Sequence, residues 1–116
     1  MKARQIGDNA EQQAELFLSN QGLRLVERNF LCKVGEIDLI MQHEDKLVFV
    51  EVRFRKNAHF GSALETVNIK KQKKIIAAAQ YYLLKHANSQ SAPFRFDVVG
   101  ITGNDIQWVP SAFQGV

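Results

Sequence analysis

The stretch GEIDLIMQHEDKLVFVEVR, residues 35–53, carries acidic side chains at Glu36, Asp38 and Glu51 and a cation at Arg53. Folded into a hairpin about its polar centre, Glu44-Asp45, it places Asp38 opposite Glu51 and Glu36 opposite Arg53. Directly opposed Cβ atoms lie ~4.5–5.5 Å apart, so two carboxylates there repel each other, or share a cation. Hard oxygen donors without Cys or His suit Mg²⁺ or Mn²⁺ rather than zinc. The simpler alternative is a pair of solvated charges on an exposed sheet face. Ile37 and Leu39 flank Asp38, however, and Val50 and Val52 flank Glu51. A carboxylate in such an apolar strand is costly unless paired or bound to a cation, which favours the metal reading.

The elements that must position these groups follow from periodicity. Residues from about Gly7 to Asn20 read as an amphipathic helix, with Ala10, Ala14, Phe17 and Leu18 at helical spacing and Gly22 as the stop. Leu23–Phe30 reads as a strand, and Glu36–Gln42 and Leu47–Phe54 as two stronger ones. Ile37, Leu39 and Met41 are expected on one face with Val48, Val50 and Val52. The carboxylates fall on the other with Ile40, Leu47 and Phe49, so both faces are partly apolar and need cover. The segment from Arg55 to Val67 lacks a clear period and reads as a long loop. Asn68 caps a helix running to about His86, with Ile69, Ile76, Ala79 and Leu83 near one face. After a polar connector, Phe94–Thr102 is a strong strand, Gly103-Asn104 a turn, and Ile106–Val109 a short strand ended by Pro110. The order is α-β-β-β-α-β-β.

The 116 residues fit one domain, residues 1–116, with no apolar run long enough for a membrane span and no secretory signal. A single cysteine, Cys32, excludes an internal disulfide and a Cys-rich zinc site, and His43, His59 and His86 are scattered. A reducing, cytoplasmic setting follows. The net charge of +3 is mild, but its distribution is not. Arg53, Arg55, Lys56, Lys70, Lys71, Lys73 and Lys74 crowd one segment against Glu65 alone. The four lysines open a helix, where the macrodipole is positive and free N–H groups already favour anions. A solvated helix face is the ordinary reading of such a run. The unfavourable position, with Arg55 and Lys56 just before it, favours a nucleic-acid backbone as partner. His59 and Phe60 read either as base-stacking or as packing residues, and Phe54 as packing.

Asp38 followed by Glu51-Val52-Arg53 resembles the D…(D/E)xK signature of the PD-(D/E)XK nuclease superfamily. More closely, GDNAE, GEIDLI, VFVEVRFR and RFDVV resemble the YraN-like family of bacterial predicted endonucleases, similar to archaeal Holliday-junction resolvases. The likeness runs from Gly7 to about Trp108. It implies an α/β fold with an αβββαβ(β) restriction-endonuclease-like core, a mixed central sheet flanked by helices. It implies Asp38 and Glu51 as catalytic metal ligands, with the Val52 carbonyl and Glu11 of the first helix completing the shell around Mg²⁺ or Mn²⁺. It implies DNA as substrate and a homodimer as the acting form. On spacing alone Glu11 reads equally as a solvated helix-edge charge. Arg53 stands where the superfamily usually has lysine. Arginine is always charged and cannot serve as a base, but it can clamp a phosphate or hold a water, and it can also neutralise Glu36 across the strands. Asp97 reads as a structural partner of Arg95.

Overall fold

The computed structural model describes residues 3–57, 62–86 and 93–114, the side chains of residues 3–8 excepted. The order is α1 (Ala3–Asn20), β1 (Arg24–Cys32), β2 (Gly35–His43), β3 (Lys46–Arg55), a 3₁₀ turn (Ala63–Thr66), α2 (Ile69–Lys85), β4 (Phe94–Thr102) and β5 (Asp105–Phe113). The strands form one sheet in the order β1-β2-β3-β4-β5. Neighbours are antiparallel except the central pair β3–β4, which is parallel and joined by the crossover through α2. This is the mixed α/β architecture expected from the sequence, with two flanking helices. No helix among the described residues is long and apolar enough to cross a membrane.

Local chemistry sets the element ends. Gly22 adopts φ +96° just past α1, and Leu23 N–H reaches back to the Leu18 carbonyl at 3.1 Å, the glycine-dependent closure of a helix end. Asn68 caps α2 as expected, its side chain accepting from Lys71 N–H at 2.9 Å. The β2–β3 turn closes at the pair His43–Lys46, so Glu44-Asp45 is the hairpin centre. Three expectations are corrected. Helix α1 begins at Ala3 rather than near Gly7. The 3₁₀ turn occupies the end of the segment read as loop. Strand β5 continues past Pro110 to Phe113. Proline is tolerated there because β5 is an edge strand with a register shift opposite Phe96–Val98, so no ladder donor is lost.

Each sheet face is covered by one helix. Ala10, Ala14 and Leu18 of α1 pack on Leu39, Met41, Val48, Val50, Val99 and Ile101. Ile75, Ala78, Ala79 and Tyr82 of α2 pack on Phe30, Ile37, Ile40, Leu47, Phe49 and Phe96. The inward stripe of α2 is therefore turned from the expected one: Ile69 is 67% exposed, and Ile76 and Leu83 only border the core. Two glycines permit the close approaches. A Cβ on Gly35 would lie 3.0 Å from the Lys74 carbonyl, and one on Gly100 would lie 2.9 Å from Leu64 of the 3₁₀ turn.

Candidate metal and phosphate site

The expected hairpin register holds from His43–Lys46 to Leu39–Val50 and the ladder stops there. At the next position Asp38 puts its own carboxylate into the gap, and its Oδ2 accepts the Val52 N–H at 2.8 Å. The strands part at Asp38. Ile37, expected beside Leu39 and Met41, packs instead with Ile40 under α2. In a strand the N–H and C=O of one residue point to the same neighbour, so the Val52 carbonyl also faces this gap. Glu36 is exposed and pairs along β1 with Leu31, not across to Arg53.

Glu51 lies on the α2 side of the sheet, following Phe49 by one strand repeat, and is only 3% exposed. Its carboxyl is pushed up to about 8, first by burial, then by the negative charge of Asp38 and a hydrogen bond to it. Two cations work against that rise. Arg53 donates from Nη1 to Glu51 Oε2 at 3.2 Å, and the Lys71 ammonium stands 3.6 Å from the same oxygen. Arg53 is held at its other edge, Nε donating to Thr66 Oγ1 at 2.6 Å, while the Thr66 hydroxyl donates to the Ala63 carbonyl at 2.7 Å. Gly100, the β4 partner of Arg53, leaves the room that seats this 3₁₀ turn.

Asp38, Glu51, Val52 and Arg53 are thus brought together as the sequence suggested. Glu11 is not. It is half-buried on α1 with a polar interaction of its own, and among the described residues no three His, Cys, Asp or Glu side chains assemble as a ligand group. The reason is strand parity: α1 covers the face of Val48 and Val50, whereas Glu51 alternates to the face under α2. The basic set divides. Lys56, Lys70, Lys73 and Lys74 are exposed and available to a backbone of phosphates. Arg55 is half-buried, its Nε enclosed without a hydrogen-bond partner among the described residues. Lys71 is drawn inward to Glu51. His59 and Phe60 lie outside the described residues.

Sequence reasoning missed Thr66 and the second role of Lys71. The signal for Lys71 was present. Lys71, Ile75, Ala78 and Tyr82 form one helical stripe, and the last three are the buried face of α2. Nothing in the sequence marked Thr66, because the 3₁₀ turn carrying it has no period to read.

Outside this site, Asp97 is fully buried and accepts from Arg95, from Trp108 Nε1 at 2.9 Å and from Ser111 N–H at 3.0 Å. It is a structural partner of Arg95, as the sequence suggested.

The model of the uncharacterised protein family UPF0102 matches residues 10–101. A UPF0102 protein of Saccharophagus degradans is 52% identical over 112 residues, covering 97% of this chain and 95% of that protein. One of Hahella chejuensis is 51% identical over 119 residues, covering 98% and 94%. One of Vibrio parahaemolyticus is 47% identical over 113 residues, covering 96% and 93%.

Proposed function

We propose that this chain, which belongs to the uncharacterised protein family UPF0102, is a metal-dependent nuclease of the PD-(D/E)XK kind that hydrolyses phosphodiester bonds in DNA. The observation that carries the reading is the buried Glu51 carboxyl facing Asp38, with its pKa raised to about 8 partly by that neighbour. Such an arrangement is costly to the empty fold and is relieved by a cation. The donor set fits Mg²⁺ or Mn²⁺: two carboxylates and a backbone carbonyl, all hard oxygens, and Mg²⁺ commonly takes one or two carboxylates and keeps several waters. Asp38, Glu51 and the Val52 carbonyl would hold the ion. Bound there, it would lower the pKa of a water and stabilise charge on the phosphate.

The remaining work falls to the chain itself. The Thr66 hydrogen bond fixes the plane of the Arg53 guanidinium, so its fork is preorganised to clamp a phosphate oxygen, where charge grows in the transition state. Arg53 cannot take a proton from the attacking water, so its part is positioning and charge. The exposed lysines Lys56, Lys70, Lys73 and Lys74 would hold the backbone without reading sequence. The resolvase likeness adds a homodimer that places one site on each of two strands, and the lone cysteine, Cys32, suits a reducing, cytoplasmic setting.

The test is a cleavage panel of linear duplex and four-way branched DNA with Mg²⁺ and Mn²⁺. Wild-type protein is expected to cut, and Asp38→Ala is expected to lose cleavage while keeping salt-dependent DNA binding. Cleavage that survives both Asp38→Ala and Glu51→Ala places the chemistry elsewhere. DNA binding without cleavage under any divalent ion makes the protein a non-catalytic binding module on the same fold, the reading that arginine at position 53 favours. Absence of salt-dependent DNA binding points instead to an acidic protein as the partner of the basic face.

A further inference from the structure

We infer that Lys71 is a resident counter-ion of Glu51 that gives way to the divalent cation and passes to a substrate phosphate, so that metal and nucleic acid bind cooperatively. This deepens the metal-site reading and rests on it. Two cations are held on one oxygen of Glu51 in unequal ways. Arg53 is tied down by Thr66 and donates a hydrogen bond to Glu51 Oε2. Lys71 stands against the same oxygen at 3.6 Å, an ion pair beyond hydrogen-bond length, with a side chain 36% exposed. The first group cannot leave without breaking a network. The second is a point charge on a flexible stem, with solvent on one side and little to give up.

That position sets up a competition. A divalent cation seated on Glu51 would meet the Lys71 ammonium at close range, and like charges a few ångströms apart near a protein surface repel by several RT. Metal therefore binds weakly while the ammonium remains. A nucleic-acid phosphate supplies the charge that draws Lys71 away. Lys71 lies in the first turn of α2, where the positive end of the helix dipole already favours an anion. Phosphate and metal then each remove the obstacle to the other, and by linkage each raises the affinity of the other by the same factor. Lys71 is thus a positioning residue. The exposed Lys70, one residue earlier in the same turn, makes no such contact among the described residues.

The test reads metal binding directly at pH 9, where the Glu51 carboxyl of the metal-free protein is ionised, by titrating Mn²⁺ with oxygen excluded and following the paramagnetic resonance of the free ion. Lys71→Gln is expected to bind Mn²⁺ about tenfold more tightly than wild type in the absence of DNA, as a screened, partly exposed pair allows. Lys70→Gln, with the same change in net charge, is expected to stay within about twofold, as a solvent-screened charge should. Lys71→Arg is expected to stay near wild type. A phosphorothioate duplex, with Mn²⁺ bound to the DNA alone subtracted, should tighten Mn²⁺ binding to wild type and do so much less for Lys71→Gln. Unchanged or weaker Mn²⁺ binding by Lys71→Gln, or an equal gain in Lys70→Gln, overturns the handover and leaves the metal site standing. No Mn²⁺ binding by wild type or any variant overturns the metal site and the handover together.

Discussion

Glu51→Gln is expected to stabilise the metal-free protein by about 2–4 kcal/mol at pH 9 while changing it little at pH 4, the size set by a shift of a few pKa units. The folded protein holds the Glu51 proton up to about pH 8, whereas the unfolded chain releases it near the ordinary value of 4.5. Between those limits folding takes up a proton, so the Glu51 contribution to stability falls as pH rises and is fully lost above about 8. Burial and Asp38 cause the loss, and Lys71 and Arg53 reduce it. Gln keeps the shape and cannot ionise. Urea unfolding of both proteins across pH 4–9 isolates the group, since every other titration is shared. A difference that does not vary with pH would contradict the raised carboxyl. Saturating Mn²⁺ should reverse the order at pH 9, because only the carboxylate holds the ion, and binding to the folded state alone adds stability.

Asp97→Ala acts in the opposite direction. The substitution takes the carboxylate from the Arg95 guanidinium, whose side chain is 16% exposed, leaves it the His43 Nδ1 contact at 3.0 Å, and removes the acceptor of the Trp108 indole and the Ser111 N–H. Breaking a buried ion pair by removing one partner typically costs ~3–5 kcal/mol, and two orphaned donors place the loss at the upper end. In urea titration the midpoint should fall to match, and Asp97→Asn, which restores one acceptor and no charge, should fall between the two. A loss under about 1 kcal/mol, the size of a single ordinary hydrogen bond, would mean that water replaces the carboxylate at no great cost.

The contrast between these carboxylates bears on what the sequence could reveal. Asp97 shares its strand with Arg95 two residues before, and that spacing alone suggests the pair. The register of β2 against β3 was equally legible, because a two-residue turn leaves little freedom between His43 and Lys46. The pattern failed where local geometry departs from its period. Alternation along β2 breaks at Asp38, where a side chain replaces a ladder acceptor, so Ile37 changes sides. Pro110 read as a terminator, but the irregular edge of β5 carries it without a missing donor. The four lysines of α2 are indistinguishable by composition. Only the docking phase, set by Ile75, Ala78 and Tyr82, separates Lys71 from the rest. Thr66 became visible only once Gly100 admitted Leu64 and seated the turn.

Anomalous scattering at the manganese edge, from crystals of the wild-type protein grown above pH 8 with Mn²⁺, locates the ion directly. One anomalous peak is expected between the Asp38 and Glu51 carboxylates, beside the Val52 carbonyl, and absent from Asp38→Ala crystals under the same conditions. A map with no peak at these residues, or one that keeps its peak there in Asp38→Ala, would contradict the metal site.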